Sequence, residues 1–587
     1  MIPKSLLLLS FIATATATPS SASSDSISER TPNELPRRID LEVNRNLLED
    51  AYPAFKTFKG DMHAGVIPAV LSDNDDSSNS KDYSSYMFWL LQPDVNETDD
   101  TFHSDTLVIW LNGGSGCSSF FGMLAENGPV TISKSPNSAS VASAPLQENP
   151  FAWTKKTAML FVEQPSGTGF STASKARTGK EAEQRTKNDV GESFYAFFQN
   201  LYTIFGEELA SKKVYITGES ATRMYIPAIA RSFHRGNKRL ETNPSSSLHF
   251  IDIHGIAIGN GWIDVDIQVP TSIDYAWWHH MIDLPTRRVL HKKWNECITG
   301  MITDSSSEPF HSFTTPDECG IMTAILEASG SSFAYDITTY DAYPAADPDV
   351  TGTFYNNKDV QKALNINEDN FRQCVPGSGR RRLKKDDPYE RMRQLILLDQ
   401  DRRSALPWIA ELLDDAKIDV LVYNGDLDIA CNSQGTELAL EAMDWSGNEK
   451  WRDPQVTKWY NWIAAGNPAG HSKRFDNLEF LVVYNSGRFV PINQAEHALD
   501  MIGRLLDGKS FSDVELPRFD IESKSSKPLE KNLPSYTSST VEAYWSPIGL
   551  VGFFIGIIIS YVILTLLPKY RRTRGYERLR SVPIHYN

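Results

Sequence analysis

A serine at the junction of an apolar run and a helical stretch is the first residue suited to covalent chemistry. Residues 213–227 read KVYITGESATRMYIP, in which a β-branched run ends at Gly218 and a helical pattern follows, with Ser220 at the break. A serine on such a turn has its hydroxyl lifted off the sheet, and the next backbone N–H faces the same space, ready to bind an oxyanion. The usual pattern is G-x-S-x-G, but Thr222 occupies the second glycine position and Arg223 follows it. Ser220 therefore needs partner residues before it indicates catalysis.

Three further stretches supply candidate partners, and each directly follows a short apolar run. Residues 112–119 form a glycine-rich loop whose backbone N–H groups can approach a ligand closely, as an oxyanion hole requires. Residues 424–432 form a turn that presents a carboxylate after Ser220 in the chain, as the hydrolase order Ser, Asp, His requires. Residues 485–491 stand where that order requires a histidine, and they contain none. Together these stretches predict an acyl-transfer site that lacks one member.

Short β-branched runs are the elements that must position these loops. The runs are Leu107–Leu111, Met159–Val162, Val214–Thr217, Ile253–Ile258, Asp419–Tyr423 and Phe480–Tyr484. Nearly continuous apolar strands that alternate with helical stretches predict a mostly parallel central sheet covered on both faces. Ligands gather at the carboxyl ends of such strands, so the loops after the runs are expected to converge. Residues 262–357 break this rhythm and contain an aromatic cluster and two cysteines, which predicts a helical insertion over the cleft.

The two ends of the chain predict a secreted domain held at a membrane. Residues 1–17 have the basic residue, apolar run and small-residue pattern of a signal peptide. Residues 18–508 show no long linker and no repeat, and we interpret them as one lumenal domain. A polar linker at 509–545 precedes the charge-free span Ile548–Leu567, which is long enough to cross a bilayer and to contact membrane lipid. The basic tail at 568–587 should remain cytosolic, so a single-pass topology is expected.

Composition excludes one class of partner and indicates the cellular compartment of the protein. The 587 residues carry a formal net charge of −16, which excludes nucleic acid as a partner. Five cysteines in a lumenal chain predict an oxidising compartment with an odd thiol left over. Asn96 begins an Asn-Glu-Thr acceptor sequence in a polar loop, which predicts a glycosylation site.

Four motifs carry a family resemblance. Residues 110–119 read WLNGGSGCSS, residues 163–171 read EQPSGTGFS, residues 218–227 read GESATRMYIP and residues 425–432 read GDLDIACN. They resemble the motifs W-L-N-G-G-P-G-C-S-S, D-Q-P-x-G-x-G-F-S, G-E-S-Y-A-G-x-Y-I-P and G-D-x-D-x-x-C-N of the serine carboxypeptidases. The resemblance covers roughly residues 55 to 505, and in architecture the chain is similar to the fungal membrane-anchored, pheromone-processing type. It implies an α/β-hydrolase fold.

The resemblance also implies roles for individual residues. Ser220 would be the nucleophile and Asp428 the carboxylate that orients the base. The oxyanion hole would be formed by the N–H groups of Gly114 and Ala221. The residues that would hold the terminal carboxylate of the peptide are Asn112, Gly113, Glu126 and Glu219. A carboxylate beside two glutamates is repelled unless these share protons, so such a site should work best in mild acid.

The family pairing of cysteines would join Cys117 to Cys374 and Cys297 to Cys319, leaving Cys431 as a thiol near the cleft. Spacing alone does not give this pairing. The resemblance implies no metal and no cofactor.

The sequence departs from the family at two places. Aligning the family motif G-H-M-V-P on residues 487–491 puts Arg488 in the place of the histidine. A guanidinium stays protonated and has no lone pair with which to accept the proton of Ser220. His497 lies nine residues further on, in the pattern of the following helix, and is interpreted as a packing histidine. Residues 221–223, Ala-Thr-Arg, stand where the family has Tyr-Ala-Gly.

Two functions remain open at this point. The first is a serine-type carboxypeptidase of the Golgi or trans-Golgi network that removes C-terminal Lys or Arg from precursor proteins, such as a pheromone or toxin. The second is a catalytically impaired pseudo-enzyme that binds peptide C-termini without cutting them, because Arg488 replaces the catalytic histidine. Position 488 decides between them.

Overall fold

The structure of the protein, a computed structural model, describes the greater part of the predicted lumenal domain. The described residues are 35–71, 84–114, 117–132, 146–172, 187–220, 222–244, 247–303, 319–340, 348–367, 370–371, 373–374 and 404–515. The predicted signal peptide, cytosolic tail and membrane span Ile548–Leu567 lie outside these residues, as does the linker apart from its first seven residues. Chain contacts divide Met1–Leu516 from Pro517–Asn587, and every described residue belongs to the first unit. Within the described ranges, no helix combines the length and the apolar character needed to cross a membrane.

Most strands of the described residues belong to one sheet. The strands are β1 (Gly60–Pro68), β2 (Ser85–Pro93), β3 (His103–Leu111), β4 (Val130–Ile132), β5 (Leu146–Glu148), β6 (Thr157–Glu163), β7 (Lys213–Glu219), β8 (Ile253–Gly259), β9 (Asp419–Gly425), β10 (Trp459–Ala464), β11 (Asn467–Phe475), β12 (Leu478–Val483) and β13 (Val514–Glu515). Among these residues, eleven strands pair in the order β1-β2-β6-β3-β7-β8-β9-β12-β11-β10-β13, and β4 pairs with β5.

Helices lie between the strands. They are α1 (Arg45–Ala51), α2 (Phe120–Ala125), α3 (Lys187–Phe205), α4 (Glu207–Ala210), α5 (Thr222–Thr242), α6 (Val265–Trp278), α7 (Leu284–Thr303), α8 (Ile321–Ala328), α9 (Pro348–Tyr355), α10 (Lys358–Ala363), α11 (Leu406–Glu411), α12 (Ser433–Ala442), α13 (Asn448–Arg452), α14 (Val490–Asn493) and α15 (Ala495–Leu506). Two of those near the site have side-chain caps. Asp264 accepts a hydrogen bond from the N–H of Ile267 at the start of α6, and Asn432 accepts one from Gly435 at the start of α12.

The centre of the sheet is parallel, as the apolar runs predict. Each of the six runs lies in or overlaps one of the strands β6, β3, β7, β8, β9 and β12, and these neighbours pair in parallel. The flanks differ from the prediction, because β1, β2, β11, β10 and β13 pair antiparallel and make the whole sheet mixed. For β10 and β11 the reason is visible in the turn between them, where Ala465 and Gly466 have φ of 49° and 76°. Two consecutive residues at positive φ form the tight hairpin turn that reverses the chain.

The two faces of the sheet are covered by separate apolar cores. Leu107, Ile109 and Leu111 of β3 point into one core, and Val108 and Trp110 point into the other, because side chains alternate across a strand. The first core includes the apolar faces of α3 and α5. The second includes residues of α10 and α15. Burial on both faces explains the continuous apolar character of the central runs.

The predicted insertion at residues 262–357 contains α6, α7, α8 and α9 in its described parts. Its segment after α8 reaches the loops that follow β9 and β12. The N–H of Ile337 donates to the carbonyl of Leu427 at 3.0 Å, and the carbonyl of Tyr335 accepts from the N–H of Arg488 at 2.8 Å. The insertion therefore packs against the edge of the sheet at which the candidate site residues lie.

Candidate active site

The turn from β7 into α5 places Ser220 at the carboxyl end of a central strand. Ser220 has φ of 60°, its N–H donates to the carbonyl of Gly259 at 2.8 Å, and its side chain is half-buried. Glycine at 218 leaves room for the neighbouring strand β3, since a Cβ there would lie 2.1 Å from the carbonyl oxygen of Leu111 and 3.2 Å from the hydroxyl oxygen of Thr222 at the start of α5. The elbow forms although Thr222 replaces the second glycine. Its hydroxyl donates to the carbonyl of Glu219 at 2.8 Å.

Ala221 lies outside the described residues, as do the side chain of Arg223 and the loop residues 115 and 116. The expected role of the Ala221 N–H in an oxyanion hole therefore stays a prediction. The other expected donor, Gly114, has φ of 87°, and a Cβ there would meet the sulfur of Cys117 at 2.5 Å. Glycine is required at this position because the backbone is left-handed and the disulfide lies directly against it.

Asp428 lies in the turn after β9 and has no solvent exposure. Its Oδ1 accepts from the N–H groups of Ala430 at 2.8 Å and Cys431 at 3.1 Å. Its Oδ2 accepts from Nδ2 of Asn260 at 3.1 Å and from Nε of Arg488 at 3.0 Å. Four donors fix the carboxylate in one orientation, as a residue that orients a partner requires.

Arg488 occupies the space between Asp428 and Ser220. Its Nε donates to Asp428 Oδ2, its Nη1 donates to Ser220 Oγ at 3.2 Å, and its Nη2 donates to Cys431 Sγ at 3.1 Å. The guanidinium carbon also lies 3.7 Å from the ring centroid of Tyr335, a cation–π contact. The arginine thus connects the aspartate and the serine in the way that the alignment predicts for the histidine.

The surroundings of Arg488 keep it protonated. Burial acts to lower its pKa, but attraction to Asp428 and Cys431 outweighs burial and raises the pKa above its usual value. A permanently protonated guanidinium can only donate hydrogen bonds. The geometry of a triad is therefore present without an atom that can accept the proton of Ser220.

His497 does not take over this role. It lies on α15, and its ring packs against Trp462 with centroids 5.8 Å apart. The Nδ1 atom of His497 is buried and has no hydrogen-bond partner among the described residues.

A second group of polar residues, which we call the carboxyl clamp, consists of Asn112, Glu126 and Glu219. Nδ2 of Asn112 donates to Glu126 Oε1 at 2.6 Å and to Glu219 Oε1 at 3.2 Å. The amide is held in place because its Oδ1 accepts from Nε1 of Trp110 at 2.9 Å and from the N–H of Gly122 at 2.8 Å. Among the described residues, the second oxygen of each glutamate has no partner.

The clamp glutamates hold protons well above the usual carboxyl range. Burial raises the pKa of Glu126 to about 7, although hydrogen bonds with Asn112 and Glu219 act to lower it. Burial, followed by repulsion from Glu126, raises the pKa of Glu219 well above its usual value. Two buried carboxyls side by side cannot both ionise at low cost, so they share a proton. Gly113 is half-buried beside Asn112 in the same loop.

The structure contains the two disulfides that the family resemblance implies, Cys117–Cys374 and Cys297–Cys319. Cys431 belongs to neither and is buried beside Arg488. Among the described residues, no group of three or more His, Cys, Asp or Glu is placed to hold a metal ion.

Two residues near the site were missed at the sequence level. Asn260 follows β8 directly and donates to Asp428, so the rule that ligands gather after parallel strands would have found it. Tyr335 comes from the insertion, and no local pattern indicates that its ring stacks on Arg488.

A central parallel sheet with a serine on the turn after β7, and an aspartate and its partner after β9 and β12, defines an α/β-hydrolase. The family model for serine carboxypeptidases matches residues 76–508. Serine carboxypeptidase-like 47 of Arabidopsis thaliana is 30% identical over 439 residues, covering 73% of this chain and 76% of that protein. The chain therefore belongs to the serine carboxypeptidase family, whose members are serine-type hydrolases that act on peptides.

The chain is also similar to a yeast carboxypeptidase, both in sequence and in its solved structure. The pheromone-processing carboxypeptidase of Saccharomyces cerevisiae is 28% identical, with 74% of this chain and 58% of that protein covered. The crystal structure of a prohormone-processing carboxypeptidase from the same species has a TM-score of 0.65 at 25% identity, covering 81% of this chain and 97% of that one. These matches confirm the family resemblance found in the sequence.

Proposed function

We propose that the protein binds the C-termini of peptides in a serine carboxypeptidase cleft but hydrolyses them at a severely reduced rate. The observation that carries this proposal is the position of Arg488, whose side chain connects Asp428 to Ser220 by hydrogen bonds of 3.0 and 3.2 Å. The site has the bridge of a triad but no base. Removing a triad member typically lowers kcat by several powers of ten, and what remains comes from the oxyanion hole and binding.

The binding half of the site supports recognition of a terminal carboxylate. Asn112 holds the two glutamates together through its two amide hydrogens, and Glu126 and Glu219 each present a buried oxygen without a partner in the described structure. Protonated carboxyls donate hydrogen bonds to a carboxylate, whereas ionised ones repel it. Because burial raises the pKa of Glu126 to about 7, the clamp is protonated in mild acid. Binding should therefore be tightest around pH 5 to 6.

The chemical step fails at its start. Attack by Ser220 requires its proton to leave as the Oγ–C bond forms, and a neutral histidine would accept that proton. Arg488 instead donates to Ser220 Oγ, and its raised pKa rules out a neutral guanidine at working pH. The guanidinium also cannot later deliver a proton to the leaving amine and be regenerated.

The experiment compares hydrolysis of a blocked dipeptide ending in Lys or Arg at about pH 5 to 6. The full-length protein, purified in detergent, is assayed beside Ser220→Ala and Arg488→His. We expect the parent to be no faster than Ser220→Ala, and Arg488→His to be faster by roughly two powers of ten or more. A parent that turns over far faster than Ser220→Ala would show that another base exists and would overturn the proposal. An Arg488→His variant that folds but gains no rate would overturn the assignment of the defect to the base.

The second candidate function is removal of C-terminal Lys or Arg from secreted precursors by an active enzyme. It is supported by the similarity to the pheromone-processing carboxypeptidase of yeast. The same assay decides between the two candidates, since an active parent that prefers Lys or Arg over apolar C-terminal residues would favour this one.

We also propose that the chain is a single-pass protein of the Golgi or trans-Golgi network with its large domain in the lumen. The apolar span Ile548–Leu567 with its basic tail supports this, as do the two disulfides and the exposed position of Asn96. The test is alkaline carbonate extraction of cell membranes, combined with glycosidase treatment of the parent and of Asn96→Gln. Retention in the membrane and a glycosidase shift that Asn96→Gln abolishes are expected. Release by carbonate would argue against the membrane span.

A further inference from the structure

We infer that the cleft has a second carboxylate site at Ser220 and Arg488, so that it prefers peptides with an acidic residue directly before the last one. This inference rests on the proposed function, in which the last residue's own carboxylate lies in the carboxyl clamp. Arg488 creates the second site by replacing an acceptor with a cation.

The polar groups at this point of the cleft are donors. A guanidinium has five N–H donors and no acceptor. Nη1 of Arg488 donates to Ser220 Oγ at 3.2 Å, so the serine oxygen accepts and its own O–H points elsewhere. A ligand group at this position therefore meets donors and must itself supply acceptor oxygens. A carboxylate does so with two oxygens and about four lone pairs, whereas the N–H of an amide would face Arg488 donor to donor.

The ion pair is oriented with its positive end toward the ligand. Asp428 has no exposure, and its two oxygens are occupied by Arg488, Asn260 and the N–H groups of Ala430 and Cys431. The guanidinium lies between this carboxylate and the half-buried Ser220. An anion that contacts Ser220 is therefore closer to the cation than to the buried carboxylate, and attraction falls with distance.

Two further features favour binding of an anion beside Ser220. Helix α5 runs for 21 residues from Thr222, directly after Ser220, so the positive end of its dipole lies beside the serine. The neighbouring glutamates oppose an anion least in mild acid, because burial raises the pKa of both Glu126 and Glu219. An aspartyl side chain in a peptide is ionised at pH 5.5. In mild acid the ligand is therefore an anion while the neighbouring glutamates still hold protons.

The arginine is also held rigidly enough to select a ligand. It stacks on Tyr335 at 3.7 Å, donates to Cys431 Sγ at 3.1 Å and is only 6% exposed. A cation fixed in one place favours one ligand position, and it does not lose side-chain freedom when the ligand binds.

The test is calorimetric binding of N-acetyl-Asp-Phe and N-acetyl-Asn-Phe to the full-length protein in detergent at pH 5.5. These ligands have the same shape and differ by one charge at the residue before the last. We expect the aspartyl peptide to bind at least about tenfold more tightly. The second protein is the double variant Arg488→Met with Asp428→Asn, which removes both charges together and so leaves no buried ion without a partner. In this variant the preference should fall below about threefold.

Each outcome has a definite meaning. Equal affinities for the two peptides overturn this inference and leave the proposed function standing. If neither peptide binds, the proposed function and this inference are overturned together. A tenfold preference that persists in the folded double variant shows that another cation selects the acid, and it also overturns the inference.

Discussion

Arg488 and Asp428 form an ion pair that is almost completely removed from water, with side-chain exposures of 7% and 0%. Each charge is tolerated because the other is 3.0 Å away and because Asn260 and two backbone N–H groups complete the shell of the carboxylate. Such a pair is weak evidence for a gain in stability over an apolar pair. Loss of one partner is costly, since it leaves a buried ion uncompensated.

Asp428→Asn should therefore lower the free energy of unfolding by about 3 to 5 kcal/mol, because it leaves the Arg488 cation buried without its counter-ion. The measurement is urea unfolding near pH 6. Asp274→Asn is the matched control, since Asp274 is paired with Arg287 at 2.6 Å but is 41% exposed, and its loss should cost no more than about 1 kcal/mol. Equal losses in the two variants would show that burial of the Asp428 pair is not what sets the cost.

Arg488, which the family motif predicts to stand in the place of a histidine, can connect an aspartate to a serine without being able to act as a base. Both side chains present two nitrogens, one toward the aspartate and one toward the serine. Nε of Arg488 contacts Asp428 and Nη1 contacts Ser220, but both nitrogens carry hydrogens and only donate.

At the scale of elements, the central part of the fold could be predicted from the sequence. The six apolar runs lie in the six parallel strands, because strands buried on both faces must be apolar at nearly every position. The loops after them converge because the strands are parallel, and this places Asn112, Ser220, Asp428 and Arg488 at one edge of the sheet. The same rule applies to Asn260, which follows β8 and donates to Asp428.

The flanks and the insertion could be predicted less well. The run Tyr86–Leu91 in β2 is fully buried and apolar, yet nothing local shows that it pairs antiparallel with β6. The hairpin of β10 and β11 has only a weak signal in the sequence, because Gly466 suits the positive φ of its turn but Ala465 is not typical of such a position. The contact of Tyr335 with Arg488 depends on how the insertion folds back over the sheet, and residue types do not specify such a contact.

At the scale of the whole molecule, buried acids and two histidines, His63 and His471, set opposing pH dependences of stability, because burial raises the pKa of the acids and lowers that of the histidines. Burial raises the pKa of Glu126 to about 7 and of Glu163 to about 8, and it raises that of Glu219 well above the usual value. Between pH 4.5 and about 8 the folded protein therefore binds more protons than the unfolded chain, so stability falls as pH rises. Burial likewise raises the pKa of a further group of acids, Asp419, Asp426, Glu437 and Glu479.

His63 has the opposite effect on the pH dependence of stability. Burial, with repulsion from Arg38, lowers its pKa, so the unfolded chain takes up a proton below about pH 6.5 that the folded protein refuses. This makes stability fall as pH falls through that range. Below about pH 4 the carboxyls whose pKa is lowered in the fold, such as Asp274 and Asp105, lose their stabilising contacts as well.

The number and size of the pKa shifts decide whether the free energy of unfolding rises or falls with pH. The shift of Glu126 from 4.5 to about 7 corresponds to a loss on the order of 3 kcal/mol across that range, and Glu163 adds a loss of similar order up to about pH 8. The two histidines whose pKa is lowered cannot offset several such acids. We therefore expect the free energy of unfolding to be largest near pH 5 and to fall by several kcal/mol toward pH 8.

Urea unfolding of the full-length protein between pH 4 and 9 measures this dependence. Glu163→Gln keeps the shape of the buried acid but removes its titration, so the decline above pH 6 should become shallower. Glu97→Gln changes an exposed glutamate in a surface turn and should leave the decline as it is in the parent. A stability that is flat or rising from pH 5 to 8 would show that the buried acids are ionised in the folded protein. That result would also remove the reason for expecting the carboxyl clamp to bind best in mild acid, because both conclusions depend on protons retained by buried glutamates.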